Sequence, residues 1–104
     1  MTGAIATSSL QELIFHSADH LDGCPVRVDA TCVVCDLALQ RLDLSDRGAK
    51  LIVHVGDVDE ASRRRLEAGA LGVQTRMSVT GILKKQGRRI FLEALEVSPI
   101  AAAA

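Results

Sequence analysis

The sequence predicts a mostly β domain, a closed five-stranded barrel with one helix between its third and fourth strands and a short helix ahead of its first. Three observations predict it. Residues 25–35 alternate apolar and polar over a length unusual for one strand. Four further alternating stretches follow, and a charged stretch without alternation, residues 59–68, divides them two and two. Gly81 then falls inside the penultimate strand, where a bulge or sharp bend would let a sheet curl closed.

Residues 1–8 are small and polar and read as a tail. Ser9 with Glu12 three residues later has capping-box spacing, and Leu10, Leu13 and Ile14 share the helical face that follows. Asp22, Gly23 and Pro25 end that segment. In the first strand Val26, Val28, Ala30, Cys32 and Val34 point one way, and Arg27, Asp29 and Thr31 the other. Leu42 and Leu44 alternate with Arg41 and Asp43, Asp46-Arg47-Gly48 turns the chain, and Leu51, Val53 and Val55 form the next apolar face. Residues 59–68 carry acids early and arginines later, the order a helix dipole favours, and Gly69 or Gly72 stops them. Met77 and Val79 mark the fourth strand, residues 84–87 a polar hairpin turn, and residues 89–97 the fifth strand. There Phe91, Glu93, Leu95 and Val97 are expected on the face opposite Ile90, Leu92 and Ala94. Three strands, a helix and two strands is the order of an OB-type barrel, with an open α+β sheet of the same elements as the alternative. Its 104 residues suit one domain, expected over residues 9–98 with tails at 1–8 and 99–104.

Composition narrows the function. The net charge is -1, without the basic excess of a protein built mainly to grip nucleic acid. Trp and Tyr are absent, so Phe15 and Phe91 are the only large aromatic platforms on which bases could stack. Apolar runs are too short for a membrane helix, the start lacks signal-peptide features, and three Cys, an odd number, suit reduced thiols. The expectation is an intracellular protein with no membrane partner and no cofactor. Nucleotide-binding and esterase motifs are absent, and His54 near Asp57 lacks a nucleophile, so no enzymatic activity is expected.

Four groups remain. His16, His20, Cys24 and the pair Cys32/Cys35 are metal-ligand types, but an offset of three along a strand would place Cys32 and Cys35 on opposite faces, so no metal site is assigned. Arg63, Arg64 and Arg65 lie among acids and read mainly as a solvated helix face. Lys84, Lys85, Arg88 and Arg89 flank the last hairpin, which borders the usual ligand groove of this barrel type, and Arg27, Arg41, Arg47 and Lys50 could line the rest. The same charges could equally keep a hairpin soluble. Finally, the last strand is apolar on both faces whereas a small barrel buries one. Either the N-terminal helix with Leu10, Leu13 and Ile14 or another chain must cover the other face, which makes Leu10, Leu13, Ile14, Phe91, Leu95 and Val97 candidate partner-binding residues.

The run Met77-Ser78-Val79-Thr80-Gly81-Ile82-Leu83 with Arg89-Ile90-Phe91-Leu92-Glu93-Ala94, and the opening Cys24-Pro25-Val26-Arg27-Val28, resemble the last two strands and the first strand of nucleic-acid-related OB domains. The size and plan are similar to the small subunit of replication protein A and the smallest subunit of the CST telomere complex. The resemblance implies a nuclear, non-catalytic subunit that assembles with a larger OB-fold protein in a single-strand-binding or telomere-maintenance complex. The alternative is direct binding of single-stranded DNA or RNA through the basic groove. Those families dock through a helix after the barrel. Here only residues 98–104 follow Val97, a departure from the pattern.

Overall fold

A computed structural model describes residues 7–14, 22–69 and 71–100. The elements are β1 (Thr7–Ser8), α1 (Leu10–Glu12), β2 (Pro25–Asp36), β3 (Arg41–Asp46), β4 (Ala49–His54), α2 (Glu60–Glu67), β5 (Arg76–Gln86) and β6 (Arg89–Pro99). The strands run in the order β1-β2-β3-β4-β6-β5, and β5 pairs back onto β2, which closes the five-stranded OB-type barrel. β1, unforeseen in the sequence, adds a two-residue parallel strand alongside β2.

Closure depends on β2 serving two neighbours. Its first half, Pro25 to Thr31, pairs with β5, and Thr31 to Asp36 pairs with β3. Between Cys32 and Val34 the register slips, leaving Val33 as a bulge. The bulge restores phase as well as bending the strand. Cys35 pairs with Leu42, a fully buried core residue, so Cys32 and Cys35 share the inner face. The expectation of opposite faces is corrected, because it counted parity through a residue that adds length without alternation.

β3 and β4 join through Arg47 and Gly48, both at positive φ (50° and 85°), the geometry of a two-residue hairpin turn. The β5–β6 hairpin is equally tight. Gln86 pairs with Arg89, so Lys84 and Lys85 belong to the strand and not to the turn. β4 and β6 pair in parallel, Ile52 with Phe91 and His54 with Glu93.

The second bulge corrects the reading of the last strand. Thr80 pairs with Glu96 but Gly81 pairs with Ala94, which leaves Leu95 extra. Phe91 stays on the outer face and Leu95 is 44 % exposed, but Val97 returns inward beside Leu92 and Ala94 and is fully buried. Val97 is therefore a core residue and is not presented to a partner. Leu10 and Leu13 are also fully buried, with Ile14 packed partly against them, because α1 packs against β4, β2 and β3. Their side chains belong to the core of the domain itself. Phe15, His16 and His20 lie outside the described residues.

α2 docks at the β6 bulge. Asp59 caps it by accepting from the Ser62 N–H at 2.8 Å, and its own N–H donates to the Leu95 carbonyl at 2.8 Å. Ser62, fully buried, accepts from the Val97 N–H at 2.8 Å and donates to the Val97 carbonyl at 3.2 Å. Arg65 Nη1 donates to the same carbonyl at 2.9 Å. Backbone groups that the bulge would otherwise strand are thus paired.

Candidate nucleic-acid interface

Side chains of paired residues point to the same side of a sheet, so the register defines the outer face. One row crosses β3, β4, β6 and β5 as Asp43, Ile52, Phe91, Lys84. The next row is Arg41, His54, Glu93, Ile82. Phe91 and His54 meet edge to face with ring centroids 5.0 Å apart, a favoured aromatic arrangement.

Two cavities open on this face and share that pair as a common wall. One, of about 400 Å³, is lined by Arg41, Ile52, His54, Gln86, Arg89, Ile90 and Phe91. The other, of about 470 Å³, is lined by Leu39, Gln40, His54, Gly56, Asp57, Phe91 and Glu93. The first is apolar with two guanidinium groups at its border, and the second carries two carboxylates and an amide. Gln40 is held at positive φ (54°), its N–H donating to the Leu37 carbonyl at 3.1 Å and its carbonyl accepting from Val55 at 2.8 Å. The loop between β2 and β3 therefore fixes one rim of the site, and the β5–β6 hairpin fixes the other.

The basic residues singled out in the sequence divide. Arg41 and Arg89 line the same cavity. Lys84 is Phe91's neighbour across β5, and Lys50 lies two residues before Ile52, on the same outer face. Arg88 is exposed at the tip of the β5–β6 hairpin. Lys85 is exposed on β5, and its N–H donates to Asp22 at 2.8 Å. Arg47 sits in the β3–β4 turn, its carbonyl accepting from Gln11 at 2.8 Å. Arg27 is placed elsewhere, on the β2–β5 side, where Nε donates to the Ser78 hydroxyl at 2.8 Å. The structure adds residues that charge alone did not mark: Ile52, His54, Gln40 and Leu39. His54 alternated outward in the sequence, which was the available signal.

Arg41 is held by Asp43 through Nε–Oδ1 at 2.8 Å and Nη2–Oδ2 at 3.2 Å. This carboxylate raises the guanidinium pKa further, so the charge is permanent. Burial, with the neighbouring Cys35 next, pushes the Cys32 thiol up, and burial followed by Asp36 does the same for Cys35. Both therefore favour the unreactive thiol. Among the described residues no cluster of His, Cys, Asp and Glu could hold a metal ion, and no helix is long and apolar enough to cross a membrane.

No family model matches the chain, and no curated protein sequence matches it. Solved structures do. The telomere capping protein Ten1 from S. pombe superposes with a TM-score of 0.66 at 14 % identity, covering 92 % of this chain and 81 % of that one. A chain of the S. pombe Stn1–Ten1 complex gives 0.65 at 13 % identity, covering 99 % and 83 %. An OBody, AM2EP06, bound to hen egg-white lysozyme gives 0.72 at 17 % identity, covering 99 % and 100 %. The barrel is an OB fold. The same fold is matched inside asparaginyl-tRNA synthetase from Pyrococcus horikoshii, at 0.69 and 20 % identity, where this chain spans only 24 % of that one.

Proposed function

We propose that this OB domain binds single-stranded nucleic acid along the outer face of β3, β4 and β6. The observation that supports it best is the Phe91–His54 wall between two cavities, with Arg41 and Arg89 bordering one of them. A base can stack against Phe91 while Arg41, Arg89, Lys84 and the hairpin-tip Arg88 neutralise backbone phosphates. An open cleft on one sheet face suits a single strand, whose bases are free to turn inward.

The test is titration of a fluorescent single-stranded oligonucleotide at low and moderate salt. Binding is expected to weaken with salt by a log–log slope of about 0.7 per phosphate contact. Reversing the charge of Lys84, Arg88 and Arg89 together is expected to abolish it. Binding that survives this reversal, or is absent in the wild-type chain, rejects the assignment.

A second reading, assembly with a larger OB-fold protein in a nuclear replication or telomere complex, is favoured by a different observation. Val33, Val34, Leu37 and Leu39 are 38–69 % exposed and lie together in sequence at the end of β2 and in the loop after it. The likeness to a chain of the Stn1–Ten1 complex agrees with it. Val34→Lys with Leu37→Lys, two exposed residues that line neither cavity, would then abolish co-purification with an OB-fold partner while leaving oligonucleotide binding in place.

A further inference from the structure

The Arg41–Asp43 pair poses a problem for a site that binds phosphate. A carboxylate beside the phosphate-facing guanidinium opposes the ligand's charge, and Asp43 lies on the same outer face, two residues along β3. Yet its geometry is not that of a chance surface pair. Both carboxylate oxygens engage one edge of the guanidinium, at 2.8 and 3.2 Å, and the Asp43 side chain is only 21 % exposed. Arg41 lines the cavity that Arg89, Ile52 and Phe91 also line, and Asp43 lines neither cavity. The two bonds occupy Nε and one Nη2 hydrogen. The Nη1 donors and the second Nη2 hydrogen, on the remaining edge, stay available to a ligand.

Resting on the nucleic-acid assignment above, we infer that Asp43 is a positioning residue: it locks the Arg41 fork so that its free edge meets a backbone phosphate, and it favours binding despite its negative charge. A long arginine side chain otherwise loses rotamer freedom when it grips a ligand. Asp43 imposes that loss before the ligand arrives. Ile52 on β4 pairs with Asp43 and lines the same cavity as Arg41, and His54 lies directly opposite Arg41.

The two effects of Asp43 have opposite signs, which makes the inference decidable. A purely coulombic role means that Asp43→Asn tightens phosphate binding, since a negative charge is removed. A positioning role means that it weakens binding, by about three- to tenfold, the effect of freeing one rotamer-rich side chain. The probe is a fluorescent oligothymidylate of about 15 nucleotides, near the upper site size of one OB barrel. Asp43→Glu keeps the charge and displaces the carboxylate by one methylene, and is also expected to weaken binding. In an Arg41→Gln background both changes are expected to lose their effect, because a double-mutant cycle isolates the coupling between the two side chains. Glu96→Gln, which removes an exposed β6 carboxylate that lines neither cavity, serves as the reference for charge removal alone and is expected to bind as tightly as wild type or tighter. Thermal midpoints within a few degrees of wild type exclude a folding defect, and a shifted midpoint transfers the decision to the Arg41→Gln cycle. Wild-type binding with equal or tighter binding by Asp43→Asn overturns the inference and leaves the nucleic-acid assignment standing. A loss that persists unchanged in the Arg41→Gln background does the same. No binding by the wild-type chain overturns both.

Discussion

Gly81→Ala tests whether the barrel closes as described. A Cβ at Gly81 would meet the Glu93 carbonyl oxygen far inside contact distance, with Ala94 Cα and Glu93 C both at 2.8 Å. These are backbone atoms of the partner strand, so no side-chain rotation relieves them. Either β5 and β6 separate or the bulge at Leu95 shifts, and a shift also disturbs the Asp59 N–H to Leu95 carbonyl bond that seats α2. Overpacking a close-packed site costs about 1–3 kcal/mol, and rigid backbone neighbours put this case near about 3 kcal/mol. For a domain of this size that corresponds to a fall of about 12–24 °C in thermal midpoint. The assay is thermal and urea unfolding followed by circular dichroism. Gly72→Ala is the control, since nothing lies within 4 Å of its added Cβ, and it is expected to stay within about 0.5 kcal/mol of wild type. A Gly81→Ala protein as stable as that control would refute the close β5–β6 approach and the closure built on it.

Further outcomes follow from the same geometry. Ser62→Ala leaves the Val97 N–H without its partner while Arg65 still serves the Val97 carbonyl, so urea unfolding is expected to show a loss of about 2 kcal/mol. A loss under 0.5 kcal/mol, on the order of an ordinary surface change, would mean that the hydroxyl does not seat α2. Phe91→Ala removes a partly exposed outer-face ring, so it is expected to weaken oligonucleotide binding about tenfold. Unchanged affinity in the same titration would exclude Phe91 as a stacking platform. Asp59 is held below the ordinary carboxylate range by Ser62, first through the nearby side-chain hydroxyl and then through the backbone N–H that caps onto it. Its folded pKa lies below its unfolded one, so its contribution is present above the unfolded value and is lost as pH falls through the folded value. The urea midpoint should fall on acidification, and less so in Asp59→Asn, which keeps a capping side chain. Equal falls in both proteins would remove Asp59 from the account.

The strands, the helix between them and the barrel they make were legible in the residues because they rest on local rules. Period-two alternation in Val26 to Cys32 or Leu51 to Val55, an Asp59 cap and a turn at Arg47-Gly48 each act within a few residues. What parity could not carry was anything beyond a bulge. Val33 and Leu95 are each one residue without a partner, and each inverts the inside and outside of all that follows in its strand. Hence Cys35 joined Cys32 inside, and Val97 left the supposed outer patch for the core. Likewise Leu10 and Leu13 were legible as one apolar helical face, but the surface that covers it is the barrel itself.

The site shows the same division. Its hairpin cations and Phe91 were visible as residue types at plausible places. Their meeting with His54, Ile52 and Gln40 depends on β4 lying parallel beside β6, a pairing between segments about 40 residues apart for which no local pattern codes. By itself the sequence determined the alternating strands, the capped helix and the supply of charge, because local sterics, capping and turn chemistry set them. Only the tertiary structure decided which side of each bulged strand faces the core, and which distant side chains share a cavity. Both depend on the register between strands, and register is settled only when the whole barrel closes and every apolar face is buried at once.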